Sequence, residues 1–233
     1  MFSTNSLYKY LSIPIVLSYS LANAATLQVT AGVQTSELLE GVNLTDDNPI
    51  VSINADWTFE QGGFAGADCY ASTVDSSRGI SRGCDLYVGY FTPLDENNAI
   101  SLQLTHHEYS RALNTHWDFT ELSTSWHLSK KTSLTATYSE DWVGRPFDSY
   151  SVRADTQVAL SESLGLNLSA NFIDLESGAP VNNLLSAKVS MAYVINRWSA
   201  ELGFIYTDNE QRRMLPFDID EPEVLFSLSY RLY

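Results

Sequence analysis

The chain has 233 residues, and 13 basic against 28 acidic side chains give it a formal charge of −15. So acidic a chain lacks the clustered Lys and Arg that form a nucleic-acid footprint. With 44% hydrophobic and 12% aromatic residues, it also carries too much core-forming material to remain disordered.

In chain order, the first segment reads as an export signal. Lys9 is the only charge in MFSTNSLYKY, the apolar run LSIPIVLSYSLA follows, and Ala22-Asn23-Ala24 makes a small-x-small cleavage site. The layout predicts a signal peptide over 1–24, with an uncleaved anchor as the alternative. Ser, Pro and Tyr interrupt the run and make it a poor spanning helix. After Ala24 no stretch approaches the roughly 18 to 20 apolar residues that a transmembrane helix needs.

Period-two alternation then dominates. Candidate strands centre on 27–35, 50–59, 63–72, 84–92, 98–109, 116–127, 132–141, 149–161, 164–174, 184–196, 197–208 and 223–233. The clearest is RWSAELGFIYTD, where Trp198, Ala200, Leu202, Phe204 and Tyr206 share one face and Ser199, Glu201, Gly203 and Thr207 the other. Most candidates have about nine to twelve residues, longer than soluble strands of about five or six. A tilted strand of about nine to eleven residues crosses a bilayer. Connections alternate in length as well. Those at 60–63, 93–98, 128–131, 161–163 and 195–197 are short, whereas those at 36–49, 73–83, 175–183 and 208–223 are long. An outer-membrane barrel places short turns in the periplasm and long loops outside. These readings predict an all-β fold over 25–233: a transmembrane up-and-down antiparallel β-barrel of about 12 strands.

On such a barrel the polar phase of each strand faces inward. The expected lumen-lining residues are Asn54, Asp56, Arg153, Asp155, Asn167, Asn171, Lys188, Glu201 and Arg231, because Arg or Lys facing lipid at mid-depth costs roughly 2 to 4 kcal/mol. About eight strands give an interior filled by side chains and 16 to 18 an aqueous channel. Twelve falls between, so a salt-bridged plug and a narrow pore both stay open. Aromatic residues at strand ends predict two interfacial girdles. Trp57, Trp126, Trp198, Phe64, Phe91 and Tyr233 fall at the periplasmic end. Trp117, Trp142, Tyr70, Tyr109, Tyr150, Phe172 and Tyr206 fall at the outer end.

The two cysteines, Cys69 and Cys84, form an isolated even pair in an exported chain, which predicts a disulfide stapling an external hairpin. Without a nearby His they fall short of a four-ligand metal site. Catalysis would need a nucleophile, a base within reach and a third group to orient the base. His127 and Ser129 come closest in sequence, but no Asn or Asp is placed to orient them. His106 and His107 point to opposite faces, so only a His107–His116 pair across the hairpin is conceivable as a two-histidine site. The expectation is no enzyme, no cofactor and no metal site. The acidic stretches at 45–48 and 218–223, with Asp208 and Glu210, lack EF-hand spacing and read as solvated loops, with binding of divalent cations that bridge lipopolysaccharide as the alternative.

The order of these segments resembles the TorF-type porins, a family of small proteobacterial outer-membrane barrels. The matching residues are Ser36, Gly41, the turn from Asp46 to Pro49, and Gly63-Phe64-Ala65-Gly66. Tyr109, Asp118, Phe119, Glu121, Tyr138, Ser139 and Gly144 continue the match. SELLEGV departs from the family's aromatic- and arginine-bearing segment, and YSR replaces Y-P-G. The resemblance implies an outer-membrane location in a Gram-negative bacterium and passive diffusion of small hydrophilic solutes. Its implied partners are membrane lipid, lipopolysaccharide and the barrel-assembly machinery, the last reading a C-terminal aromatic strand. In LFSLSYRLY, Phe226, Leu228, Tyr230 and Leu232 face lipid and Ser227, Ser229 and Arg231 face inward, which leaves Tyr233 out of phase. A closed barrel acting in adhesion or envelope integrity is the first alternative, and a lipid-modifying enzyme the second.

Overall fold

The computed structural model describes residues 25–36, 38–39, 42–45, 48–72, 80–111, 116–144, 146–176, 183–208 and 222–232. Residues 1–24, read above as a signal peptide, and Tyr233, Gly41, Asp46, Glu210 and residues 218–221 of the acidic stretch lie outside the described residues.

Twelve strands close into one antiparallel barrel. They are β1 (Ala25–Gln34), β4 (Ile50–Phe59), β5 (Gly63–Ser72), β6 (Ile80–Pro93), β7 (Ala99–Arg111), β8 (His116–Ser129), β9 (Thr132–Ser139), β10 (Ser149–Ala159), β11 (Leu164–Leu175), β12 (Asn183–Ile195), β13 (Trp198–Asp208) and β14 (Glu223–Arg231). Between β1 and β4, the two-residue strands β2 (Leu38–Leu39) and β3 (Val42–Asn43) pair with each other. Each barrel strand hydrogen-bonds to its neighbours in sequence, and β14 returns to β1 in a register that sets Thr30 opposite Arg231 and Gln34 opposite Ser227. Closure gives every barrel strand a neighbour on both sides, so most backbone donors and acceptors are satisfied without water.

The alternation sorts side chains cleanly. Val51, Ile53 and Trp57 on β4, Leu86 and Val88 on β6, and Leu202 and Phe204 on β13 are all exposed on the outer surface. Ser52, Asn54 and Asp56 alternate with the β4 set and are partly covered inside. An exposed apolar band on a closed barrel matches a hydrocarbon surround rather than water.

β6 begins at Ile80, four residues before the expected start at 84. The period-two signal is weak there because Ser81, Arg82 and Gly83 carry no apolar phase, and the register shifts between Ile80 and Arg82. β7 and β8 also run past their neighbour, since the last β8–β9 pair is Glu121 with Ser139. Residues 116–120 therefore stand above β9, and a 3-10 turn, Trp142–Gly144, packs against them. On this projecting hairpin the outward residues turn polar: His106 bonds Thr120 Oγ1 at 3.1 Å, and Glu108 stands directly opposite Asp118.

The hairpin of β5 and β6 is built differently from the rest. Its inner face pairs Phe64 with Gly89, Gly66 with Tyr87 and Tyr70 with Gly83. Each glycine leaves the space its partner's ring fills, and a Cβ at Gly83 would lie 2.6 Å from the Tyr70 ring. These rings cover the glycine backbone from inside, the arrangement known as aromatic rescue.

Short turns close one end. Gly62 has φ +90°, and its carbonyl accepts from Phe91 N at 2.8 Å. In the turn after β6, Asp95 Oδ1 accepts from the backbone N–H groups of Asn97 and Asn98, both at 2.8 Å, and Asn98 Nδ2 donates to Oδ2 at 2.8 Å. These bonds hold the Asp95 carboxyl below the usual carboxylate range. The staple is therefore present above the ordinary aspartate pKa and is lost as pH falls through the lowered value.

The opposite end contains the main apolar cluster. Ile50, Tyr70, Ile80, Tyr109, Phe119, Ile173, Leu175 and Leu184 come from the strands, and Leu44, Trp142 and Val143 from the connections. Among the described residues, no member comes from β13, β14 or β1.

Candidate functional site: the lumen

A cavity of about 450 Å³ is lined by Lys131, Arg153, Asp155, Asn167, Lys188 and Glu201, among others. Inward phase on β10 to β13 brings these groups together, except Lys131, which comes from the turn between β8 and β9. Arg153 Nε donates to Asp155 Oδ2 at 3.0 Å, and Lys188 Nζ lies 2.8 Å from Glu201 Oε1. Asn171 also lines this cavity, and the structure places it inside and buried. Asn54 and Asp56 lie on the facing wall, where the Tyr87 hydroxyl donates to Asp56. Arg231 ends β14 opposite Thr30, away from that cavity.

The lumen holds more charge than the alternation suggested. Asp68 on β5 stands opposite Asn54 on one side and Asp85 on the other. Asp85 is in turn opposite His107. His107 Nδ1 is 2.8 Å from Asp85 Oδ1 and 3.0 Å from the Tyr109 hydroxyl, while Nε2 is 3.3 Å from Glu121 Oε2. Its ring stacks on Phe119 with centroids 4.3 Å apart. One imidazole thus ties β6 to β8 beneath the apolar cluster. Asp68 was hidden because GFAGADCYAS is rich in small residues and shows no apolar phase. The signal that would have found it is its phase relative to Asn54, which requires the pairing register.

Several aromatic placements need correction. Trp57, Trp126 and Trp198 project outward at the turn end, 41%, 49% and 48% exposed, and Tyr150, Phe172 and Tyr206 project outward toward the other end. Trp142 does not join them: it is 2% exposed, inside the apolar cluster. Trp117 pairs with the buried Tyr109 and packs on the same cluster, so it faces inward. Tyr70 and Tyr109 are buried there too, Phe64 lies on Gly89, and Phe91 contacts His127 at 5.5 Å. A position near a strand end does not by itself choose the face; one residue of register does.

The candidate catalytic pairs come apart. His127 Nε2 lies 3.1 Å from Ser101 Oγ, while Ser129 Oγ accepts from Lys131 N at 3.1 Å. His107 stands opposite Phe119 and His116 opposite Ser110, so the register does not bring the two histidines together. Among the described residues no group of three His, Cys, Asp or Glu is arranged to hold a metal ion.

Cys69 and Cys84 are bonded to each other. They are direct cross-strand partners on β5 and β6, and Cys69 is also opposite the outward Ile53. The bond therefore lies on the outer wall rather than out in the loop. Alkylation of the unfolded chain is expected to label no thiol before reduction and two after it, read by mass spectrometry. Labelling without reductant would contradict the pairing.

A closed, twelve-stranded antiparallel barrel with an apolar exterior and a polar interior defines the class: the fold of small outer-membrane channels. Among solved structures the chain is similar to the NanC porin, with TM-score 0.59, 11% identity, and coverage of 89% of this chain and 100% of that one. The KdgM porin gives TM-score 0.53 at 8% identity, again covering 89% and 100%. The KdgM porin in complex with disordered oligogalacturonate gives TM-score 0.54 at 8% identity. At these identities the likeness is one of fold. No family model matches the chain, and no curated protein sequence does.

Proposed function

We propose that this chain is an outer-membrane porin that passes small hydrophilic solutes by passive diffusion, without catalysis or a cofactor. On this reading residues 1–24 are removed on export from the cytoplasm of a Gram-negative cell. The turn end faces the periplasm, and the long connections face outward among lipopolysaccharide. Insertion would use the barrel-assembly machinery.

The observation that carries the reading is the polar cavity of about 450 Å³ inside a barrel whose outer surface is apolar. Arg153 pairs with Asp155 and Lys188 with Glu201, so on this wall a solute meets hydrogen-bonded ion pairs. Reconstituted protein in planar bilayers is expected to give discrete conductance steps. Failure to exceed the protein-free background would reject the channel.

The apolar cluster at the loop end favours a second reading, a closed barrel acting through its outer loops. Liposome swelling separates the two. Neutral sugars should swell vesicles if the lumen conducts and leave them unchanged if it is sealed.

A further inference from the structure

Two cavities meet at one ion pair. The larger, described above, is lined by Lys188 and Glu201 on the β12–β13 wall. A second, of about 200 Å³, is lined by the same two residues together with Gln34, Ser36, Leu225 and Ser227. Those four belong to the end of β1, the residues just after it and the start of β14, so the second cavity lies along the barrel seam near the loop end. The apolar cluster of that end has members from β4 to β8 and from β11 and β12, and among the described residues none from β13, β14 or β1.

The pair is not a simple cross-strand contact. Lys188 stands opposite Ile205 and Glu201 opposite Ala192, with the row of Ser190 and Gly203 between them. The two side chains reach along the wall across that row. Gly203 makes this possible: a Cβ there would lie 2.7 Å from Ser190 Cβ, and the lumen would lose the space above it. Both side chains stay partly exposed, at 35% and 28%, so they are in contact with water on the route.

We propose that Lys188 and Glu201 form the selectivity-determining constriction of the lumen, at the junction of its two polar cavities. This rests on the channel reading. While paired, the ammonium and carboxylate cancel at the narrow point, and neither ion sign is strongly favoured. Removal of either partner leaves one bare charge beside the path. The other ion pair, Arg153–Asp155, lines the 450 Å³ cavity and is not shared with the seam cavity.

The test is reversal potential in a potassium chloride gradient across planar bilayers, with full-length mature protein. Lys188→Met should raise the cation-to-anion permeability ratio, and Glu201→Gln should lower it. Each change in the ratio should be up to about 25-fold, because one unit charge about 4 Å from an ion in water shifts cation and anion about fivefold in opposite directions. The charge-swapped pair Lys188→Glu/Glu201→Lys keeps the salt bridge and should return the ratio to the wild-type value. If one single variant fails to fold, the other carries the test by itself. Arg153→Met and Asp155→Asn should move the ratio by smaller factors. Shifts of one sign in both Lys188 and Glu201 variants, or a swap that departs strongly from wild type, would overturn the proposal while leaving the porin intact. A wild-type protein with no conductance would overturn both.

Discussion

Leu202→Arg is expected to lower folding stability in lipid vesicles by about 2 to 4 kcal/mol, the cost of a cationic side chain on the lipid face at mid-depth. Leu202 projects outward, 47% exposed, near the middle of β13, and its cross-strand partners are Met191 and Phe226. Water cannot solvate a guanidinium there without thinning the bilayer or bending the side chain to an interface. The control is one wall thickness away. Asn167→Arg places the same charge on the inner face, at the polar cavity, and should cost much less. Denaturant titration of both variants during vesicle folding compares them directly. Equal costs would mean that the two faces do not differ in solvent, and the membrane assignment would fail with them.

Gly89→Val is expected to cost about 1 to 3 kcal/mol, in the range of overpacked cores. A Cβ at Gly89 would meet the Phe64 ring and lie 2.5 Å from the Leu102 carbonyl oxygen. The ring could swing away, but the carbonyl belongs to the neighbouring strand and cannot move without disturbing the ladder. Gly165→Ala provides the contrast, because its nearest neighbour is the end of the Gln157 side chain at 3.3 Å. That amide can turn aside, so stability should change little. If Gly89→Val folds with unchanged stability, Phe64 does not rest on that backbone.

Much of this architecture was legible from alternation. The twelve expected strands correspond to the twelve barrel strands, with bounds for β4 and β5 matching at 50–59 and 63–72. The reason is chemical: an apolar exterior and a polar interior demand opposite side chains at every step, so period two survives along each strand. The inward phase of Arg153, Asp155, Lys188 and Glu201 could be read in the same way. Residues at strand ends were less legible. Trp117 and Trp142 look interfacial in sequence, yet both pack at the barrel mouth, because the projecting β7–β8 hairpin and the 3-10 turn fold over it. Where small residues erase the alternation, as along β5, Asp68 and the glycine–aromatic pairs could not be placed.

Sequence alone determined the closed all-β class, the strand count and the polarity of each wall, since these depend on local periodicity. Tertiary structure decided which charges meet. Lys188 and Glu201 lie two rows apart on neighbouring strands, and Asp85 and Glu121 reach His107 from both sides. Such encounters depend on the registers of β12 with β13 and of β6 with β7 and β8. Register is set by all twelve strands closing at once, and no single strand encodes it.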